Sequence, residues 1–448
     1  MFRKILVANR GEIALRVIRA CKELGIATVA VHSDVDRESL HVKMADESVC
    51  IGPAAARESY LAIPKILSAA EVTNSEAIHP GYGFLAENAE FANVCEKCGL
   101  VFIGPTSENI VAMGDKLAAR ATMRKAGLPM LPSIEVNLED PKATTSAVEE
   151  VGLPLIVKAT AGGGGKGIKI IRSMDQLWNT LKTAQAEAQA AFGNSKVYLE
   201  RFLEDARHIE FQVVADHFGN VVHLGERDCS IQRRYQKVVE EATAYVVTPE
   251  IRERMGHVVT EAIGKIGYRN VGTVEFLADS KLNFYFLEMN TRIQVEHPIT
   301  EEITGIDLMK LQIRLAAGER LPFRQDEVRF RGHAIEMRIN AEDPEKFYPS
   351  AGQITAFHVP GGRGVRVDSG AYHGYVVSPY YDSLIGKLIV HGDNREEAIR
   401  KGLVALDEFL VEGIHTNIPL HKKILTNEEF LKGNVSVKFL DKLFNLNK

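Results

Sequence analysis

Apolar residues in the first hundred positions fall into short unbroken runs separated by stretches with a helical stripe. The run Arg3–Ala8 reads as a buried strand. Over Glu12–Leu24 the apolar positions Ile13, Val17, Cys21 and Leu24 share one helical stripe, and Gly25 stops it. A second strand is predicted over Ile26–His32, and further ones over Ala77–Pro80 and Leu100–Gly104, with a helix over Glu87–Lys97 between these two. Strands alternating with helices predict a parallel, doubly wound sheet. The first turn, Asn9-Arg10-Gly11-Glu12, lacks the glycine pattern of a dinucleotide site.

A helix is predicted over Ser107–Lys125, carrying Lys116, and the polar stretch Gly127–Thr145 marks a boundary. A smaller α/β unit follows. It has strands over Leu155–Ala159, Ile168–Ile171 and Lys196–Arg201, and a helix over Asp175–Phe192 stopped by Gly193. From Phe202 the pattern is strand-rich, interrupted by a helix over Pro249–Ile266, where Pro249 suits the first helical position. A weaker boundary falls at Gly318–Gly332, and the final segment mixes short strands and glycine turns with one amphipathic helix, Arg395–Leu410. The expectation is an α/β fold, α+β in its C-terminal part, in four segments: 1–113, 130–203, 204–330 and 331–448.

Composition narrows the class. Of 448 residues, 45% are hydrophobic and 25% charged, which excludes disordered and fibrous chains. A net charge of −5 argues against nucleic acid or an anionic membrane as partner. No apolar run approaches the roughly 18 residues of a spanning helix. The opening segment has only the short apolar run Ile5–Ala8 before Asn9 and Arg10, so no signal peptide is read and the expected compartment is the cytoplasm. Five cysteines, Cys21, Cys50, Cys95, Cys98 and Cys229, fit a reducing environment. Cys95 and Cys98 lack the second pair that a zinc site needs and read as packing residues.

Two stretches carry chemistry. Gly162-Gly163-Gly164-Gly165-Lys166-Gly167 joins two strands, with no helix opening after it and no Ser or Thr after Lys166, so it is neither a Rossmann turn nor a Walker A loop. Its backbone N–H groups, beside Lys158, suit a flap over phosphates. The second stretch runs from Phe284 to Glu296. If it stays extended, Glu288, Asn290, Arg292, Gln294 and Glu296 share one face. In a hairpin with Val274–Leu277, Glu275 faces Glu288, and two carboxylates with an amide oxygen suit Mg²⁺. Arg292 then offers a cation for a small oxyanion and Glu296 a general base. Weaker candidates are the charged run Glu226–Lys237, read as a loop, the alternating Glu336 and Arg338, read either as a structural ion pair or as site residues, and the turn His79–Phe84.

Together these stretches resemble the ATP-grasp superfamily and, within it, the biotin carboxylase family. The likeness extends from Lys4–Ala14 through His79–Asn88, the glycine loop, Glu226–Lys237 and Glu288–His297 to Tyr380–Ser383. It implies an ATP-grasp fold with an N-terminal doubly wound domain, a small mobile glycine-loop lid and a mixed C-terminal lobe. At matching positions it implies that Lys116, Lys158 and the Gly162–Gly167 flap bind ATP phosphates. Glu200, Arg201, Phe202 and Leu203 would meet adenine, His208 and Gln232 would lie near the ribose, and Leu277 and Tyr235 would border the nucleotide. Glu275, Glu288 and Asn290 would hold Mg²⁺, with Mn²⁺ as an alternative; Lys237, Arg292, Gln294, Val295 and Glu296 would hold bicarbonate. Arg338 would bind biotin and stabilise its enolate.

The implied reaction is ATP- and bicarbonate-dependent carboxylation of biotin through carboxyphosphate. No Met-Lys-Met biotin-attachment tripeptide is present, so biotin would arrive on a separate carrier protein and the carboxyl group would leave to a separate carboxyltransferase, as in a multi-subunit acetyl-CoA or pyruvate carboxylase. A homodimer is implied, built partly from the first helix through Arg16, Arg19 and Glu23. Two alternatives stay open at this point: an ATP-grasp ligase with another acceptor, and a non-catalytic nucleotide-binding subunit.

Overall fold

The computed structural model describes residues 1–136, 140–160 and 168–445. The expected flap, Gly162–Gly167, lies outside the described residues. The N-terminal part is a parallel sheet of β1 (Lys4–Val7), β2 (Ala27–Ser33), β3 (Glu47–Gly52), β4 (Ala77–His79) and β5 (Val101–Phe102), in the order β3-β2-β1-β4-β5. The central β1 is apolar because both its faces are covered, Ile5, Leu6 and Val7 being wholly buried. Strand β3 escapes the sequence reading because it is an edge strand whose pattern leaves only Ile51 buried. Helix α1 (Gly11–Glu23) follows β1 as predicted and buries Ile13, Val17 and Ile18 in a core shared with Leu224, Val271 and Leu308.

The expected single helix over Ser107–Lys125 is two helices, Ser107–Gly114 and Lys116–Ala126. The break is a capping event: Asp115 is extended and its Oδ1 accepts the Ala118 N–H at 2.8 Å, which starts a second helix with Lys116 at its first position. A small antiparallel sheet follows, formed by β6 (Ser133–Glu135), β7 (Leu155–Ala159), β8 (Lys169–Ile171) and β9 (Val197–Arg201) in the order β6-β9-β7-β8. The helix Leu177–Phe192 covers it with Leu177, Leu181, Ala184 and Ala188, one stripe at helical spacing.

The largest sheet has eight strands. It contains β10 (Arg207–Ala215), β11 (Val221–Arg233), β12 (Gln236–Ala242), β13 (Asn270–Ala278), β14 (Phe284–Asn290) and β15 (His333–Asn340), with the strands Leu384–Gly392 and Val365–Ser369 at one end. The order is β14-β13-β10-β11-β12-β15, then Leu384–Gly392 and Val365–Ser369. Segments 204–330 and 331–448 are therefore joined in one sheet across the β12–β15 pairing. The run Glu226–Lys237, read as a charged loop, lies within the β11–β12 hairpin, and Arg227 at its start is wholly buried. Sequence alone misjudged it because the charges neutralise partners on neighbouring strands, which a one-dimensional pattern cannot show. No helix among the described residues is long and apolar enough to cross a membrane.

Candidate active site

Registration across the large sheet lines up a row of charged side chains. Glu288 on β14 pairs with Glu275 on β13, Glu275 with Glu210 on β10, and Glu210 with Arg227 on β11. Directly paired residues project to the same face, so these groups meet above one surface of the sheet. Such a row is sustainable only because cations interleave with it. Arg227 donates to Glu210 at 2.6 Å, to Gln212 at 2.7 Å and to Thr300 at 2.9 Å. Lys237, on β12, donates to Glu210 at 2.5 Å, Glu275 at 3.1 Å and Glu296 at 2.5 Å. Burial opposes the Lys237 charge, but the surrounding carboxylates override it and hold the ammonium well above its usual range.

The face does not continue along an extended strand past Asn290, as the alternation implied. The chain leaves β14 at Asn290 and turns, and Glu296 becomes the N-cap of a helix over His297–Thr304. The turn brings the same residues together by a different route. Arg292 Nη1 donates to Gln294 Oε1 at 3.0 Å and Nη2 to Asn290 Oδ1 at 2.8 Å, while Gln294 Nε2 donates to Glu275 at 2.8 Å. The Val295 carbonyl accepts from Lys387 at 2.8 Å. Glu296 is wholly buried and accepts from Lys237 and, at 2.9 Å, from Arg338. Burial alone would push its carboxyl up; Lys237, Arg338 and Arg227 outweigh that and hold it well below the usual carboxylate range.

Arg338 does not form the alternating strand pair with Glu336. Its partners are Glu240, at 2.5 Å on the neighbouring strand, and Glu296. Cys95 packs in the core as read, whereas Cys98, the cap of its helix, is exposed and is not a packing residue; both are free.

The expected metal set is tested by its donors. Glu275, Glu288 and Asn290 present two carboxylates and an amide oxygen, the hard donors that Mg²⁺ takes. The Glu288 side chain is 41% exposed and, among the described residues, has only a loose Lys116 contact at 3.8 Å, which leaves its carboxylate open to a ligand. Asn290 Oδ1 is taken by Arg292, and Glu275 by His208 at 2.9 Å, Asn290 at 2.7 Å and Lys237. The residues fit a hard divalent cation by chemistry. Burial pushes the His208 imidazole down, yet Glu275 overrides it and raises it.

The nucleotide candidates form a second group beside this row. Glu200, buried on β9, pairs with Lys158 on β7 and with Arg120 on the helix Lys116–Ala126. The Lys116 N–H donates to the Thr160 carbonyl at 3.3 Å, tying that helix to the small sheet. The Arg201 N–H is taken by the Pro132 carbonyl at 2.9 Å and the Phe202 N–H by Pro154 at 3.0 Å; the side chains of Arg201, Phe202, Leu203 and Leu277 are half-buried. Gln232 is buried near the end of β11, and Tyr235 sits exposed at the tip of the β11–β12 hairpin with φ of 65°.

Three family models match the chain: the biotin carboxylase N-terminal domain over residues 1–110, the ATP-binding domain of the carbamoyl-phosphate synthase L chain over 115–324, and the biotin carboxylase C-terminal domain over 336–442. A biotin carboxylase of Allochromatium vinosum is 55% identical over 447 residues, covering 100% of this chain and 99% of that protein. The chain belongs to the biotin carboxylase family. A pyruvate carboxylase subunit of Methanothermobacter thermautotrophicus is 54% identical, with 98% of this chain and 90% of that protein covered. A crystal structure of the biotin carboxylase domain dimer of Hydrogenobacter thermophilus 2-oxoglutarate carboxylase, in complex with MgADP, ADP and bicarbonate, has a TM-score of 0.95 at 50% identity, covering 99% of this chain and 98% of that one.

The motif resemblance is thus borne out: the chain is an ATP-grasp ligase of the biotin carboxylase type. Sequence reasoning missed several residues that organise the cradle. Glu87 accepts Arg292 Nε at 2.9 Å and the Thr291 N–H at 3.0 Å. Glu210 and Arg227 neutralise the centre of the row, Glu240 holds Arg338, and Arg120 shares Glu200 with Lys158. One signal was available: His208, Glu210 and Gln212 alternate with the apolar Ile209, Phe211 and Val213.

Proposed function

We propose that this chain carboxylates biotin presented on a separate carrier protein, using ATP and bicarbonate and passing through carboxyphosphate. The observation that carries the reading is Glu296, a wholly buried carboxylate gripped by Lys237 and Arg338 beside an Arg292 that Glu87 holds. That arrangement is a cradle for a small oxyanion with a base at its centre.

In this reading Lys237, Arg292, Gln294 and the Val295 backbone bind bicarbonate. Glu296 is ionised but weakly basic while two cations hold it. When bicarbonate enters, Lys237 and Arg292 turn part of their charge to the substrate, and Glu296 recovers the basicity to take its proton. The bicarbonate oxygen then attacks the γ-phosphate in line, the bond to the β-phosphate oxygen breaks, and carboxyphosphate forms as ADP leaves, with Lys116 and Lys158 offsetting the phosphate charge. Glu275, Glu288 and Asn290 would hold Mg²⁺, which supplies charge neutralisation on the phosphates when bound. The flap Gly162–Gly167 would exclude water from the labile carboxyphosphate. Glu200 to Leu203, His208, Gln232, Tyr235 and Leu277 form the nucleotide pocket. Carboxyphosphate breaks down to CO₂ and phosphate, the phosphate takes the ureido N–H proton, Arg338 holds the resulting ureido oxyanion of biotin, and the nitrogen bonds CO₂ to give carboxybiotin.

The partners in this reading are the carrier, a separate carboxyltransferase acting on acetyl-CoA or pyruvate, and a second copy of the chain, all in the cytoplasm. Arg19 and Glu23 of α1 are exposed for a dimer contact, whereas Arg16 is spent inside the chain on Glu301 and Asp307.

The test is ADP release by the purified chain with Mg²⁺ and ATP, with and without bicarbonate and free biotin. Stimulation by biotin that disappears without bicarbonate is expected. Turnover indifferent to biotin would assign the chain another acceptor, and no turnover with a biotinylated carrier present would overturn the enzymatic reading.

A further inference from the structure

Behind Arg338 lies a pair of carboxyl groups that the reaction above leaves without a role. Glu240 on β12 and Glu336 on β15 are direct cross-strand partners, so their side chains leave the sheet on the same face. Both are wholly buried. Arg338, two residues beyond Glu336, is in register with Lys387, also wholly buried. Four ionisable groups therefore occupy one patch of the sheet. Around the patch stand Glu296, on the far side of Arg338, Lys237 beyond it, and Glu12 of α1, which lies 3.3 Å from Lys387 and also accepts from Tyr82.

The cations do not satisfy both carboxyls. Arg338 Nε donates to Glu240 Oε1, and its Nη2 is turned to Glu296. Lys387 donates to the Val295 carbonyl and faces Glu12. Among the described residues, Glu240 Oε2 and both oxygens of Glu336 have no hydrogen-bond partner and no solvent contact. Two ionised carboxylates side by side under these conditions would repel each other and lie unsolvated, and binding one proton relieves both penalties.

We propose that Glu240 and Glu336 hold one proton between them, and that this acid–carboxylate pair is the positioning unit for Arg338. Glu240 keeps the negative charge because Arg338 is bonded to it, and Glu336 carries the proton as a neutral donor. Ionised Glu240 pins the Nε edge of the guanidinium. The Nη edge stays aimed at Glu296 and is free for a substrate oxyanion once Glu296 has taken a proton. A second charge at Glu336 would compete for the same guanidinium and for Lys387. The direction of titration agrees: burial pushes the Glu240 carboxyl up to about 7 against the pull of Arg338, and burial with Glu240 and Glu296 nearby pushes Glu336 well above the carboxylate range despite Lys387. The role of Arg338 rests on the carboxylase reading; the shared proton does not.

Infrared spectroscopy of the full-length chain separates the two. The wild type at neutral pH should show the carbonyl stretch of a buried protonated carboxyl that shifts in D₂O and fades as pH rises. That band should be lost in Glu336→Gln. It should be lost also in Glu240→Gln, because a lone Glu336 between Arg338 and Lys387 ionises. A wild-type spectrum identical to that of Glu336→Gln would overturn the proposal, as would a band that survives in Glu240→Gln, since burial of Glu336 alone would then explain it.

Kinetics test the positioning. Glu240→Gln should lower biotin-dependent ADP release on the order of a hundredfold. Glu336→Gln, which keeps the neutral donor, should retain far more activity than Glu336→Ala and lose the alkaline limb of the pH profile. A Glu336→Gln profile with an unchanged alkaline limb would remove Arg338 positioning from the pair. Biotin-independent turnover in the wild type would instead sink the carboxylase reading, while the infrared band would still report the proton.

Discussion

Each cation in the cradle is fixed by a carboxylate that never needs to touch substrate. Arg292 illustrates this: Glu87 binds its Nε, leaving both Nη groups pointed at Gln294 and Asn290. An arginine held on one edge presents the other in a fixed plane, which suits a planar oxyanion. Replacing Glu87 with Gln removes the charge but keeps the shape. Bicarbonate-dependent ADP release should then show KM for bicarbonate raised about tenfold, the loss of one charge-assisted hydrogen bond. Because the Glu87 side chain is 40% exposed, the same variant should change unfolding stability by less than about 1 kcal/mol. An unchanged KM would mean that Arg292 finds its pose without Glu87.

Among the elements, β12 does two jobs from its two faces. Lys237 and Glu240 serve the site, while Glu241 faces away and ties the strand to β15 and to the helix Arg395–Glu408. It accepts from His333 at 2.8 Å and from Arg395 at 2.7 and 3.0 Å. Burial would raise its carboxyl, but His333 and Arg395 together bring it down from 4.5 to about 2. A depressed acid stabilises the fold at pH above its unfolded value and loses that contribution as pH falls toward the folded one. The contribution should be roughly 3 kcal/mol at neutral pH, vanishing between pH 4.5 and about 2. Urea unfolding of wild type and Glu241→Gln should therefore show a stability gap at pH 7 that closes on acidification. A gap independent of pH would assign the effect to packing.

On the scale of the molecule, the N-terminal sheet is fastened to the large sheet by buried charge as well as by apolar contact. Arg16 of α1 donates to Glu301 at 3.0 Å and to Asp307 at 2.7 Å, and Arg366 reaches Glu301 from the other side at 2.8 Å. Removing one member of such a buried set leaves the rest uncompensated. Arg16→Leu should cost about 3 kcal/mol. It should lower the unfolding midpoint equally at low and high protein concentration, since the lost contact lies within one chain. A loss confined to low concentration would place Arg16 in the dimer contact that the sequence suggested.

The chain's linear pattern was enough for whatever depends on neighbours in sequence. The order of β1, α1 and β2, the glycine stop after Phe192 and the Glu275–Glu288 pairing were legible, because periodicity and turn chemistry act over a few residues, whereas Lys237 and Val295 were suggested by the family resemblance alone. The break at Asp115 carried a signal, a capping side chain inside an apolar stripe, that the stripe outweighed. Tertiary structure alone decided the burial of Arg227, the choice of Glu240 over Glu336 as the partner of Arg338, and the meeting of Glu87 with Arg292 across 205 residues. The physical reason is common to all three. A charge is buried only where an opposite charge from another strand or loop meets it, and that partner is set by sheet register and chain crossing, which no local pattern encodes.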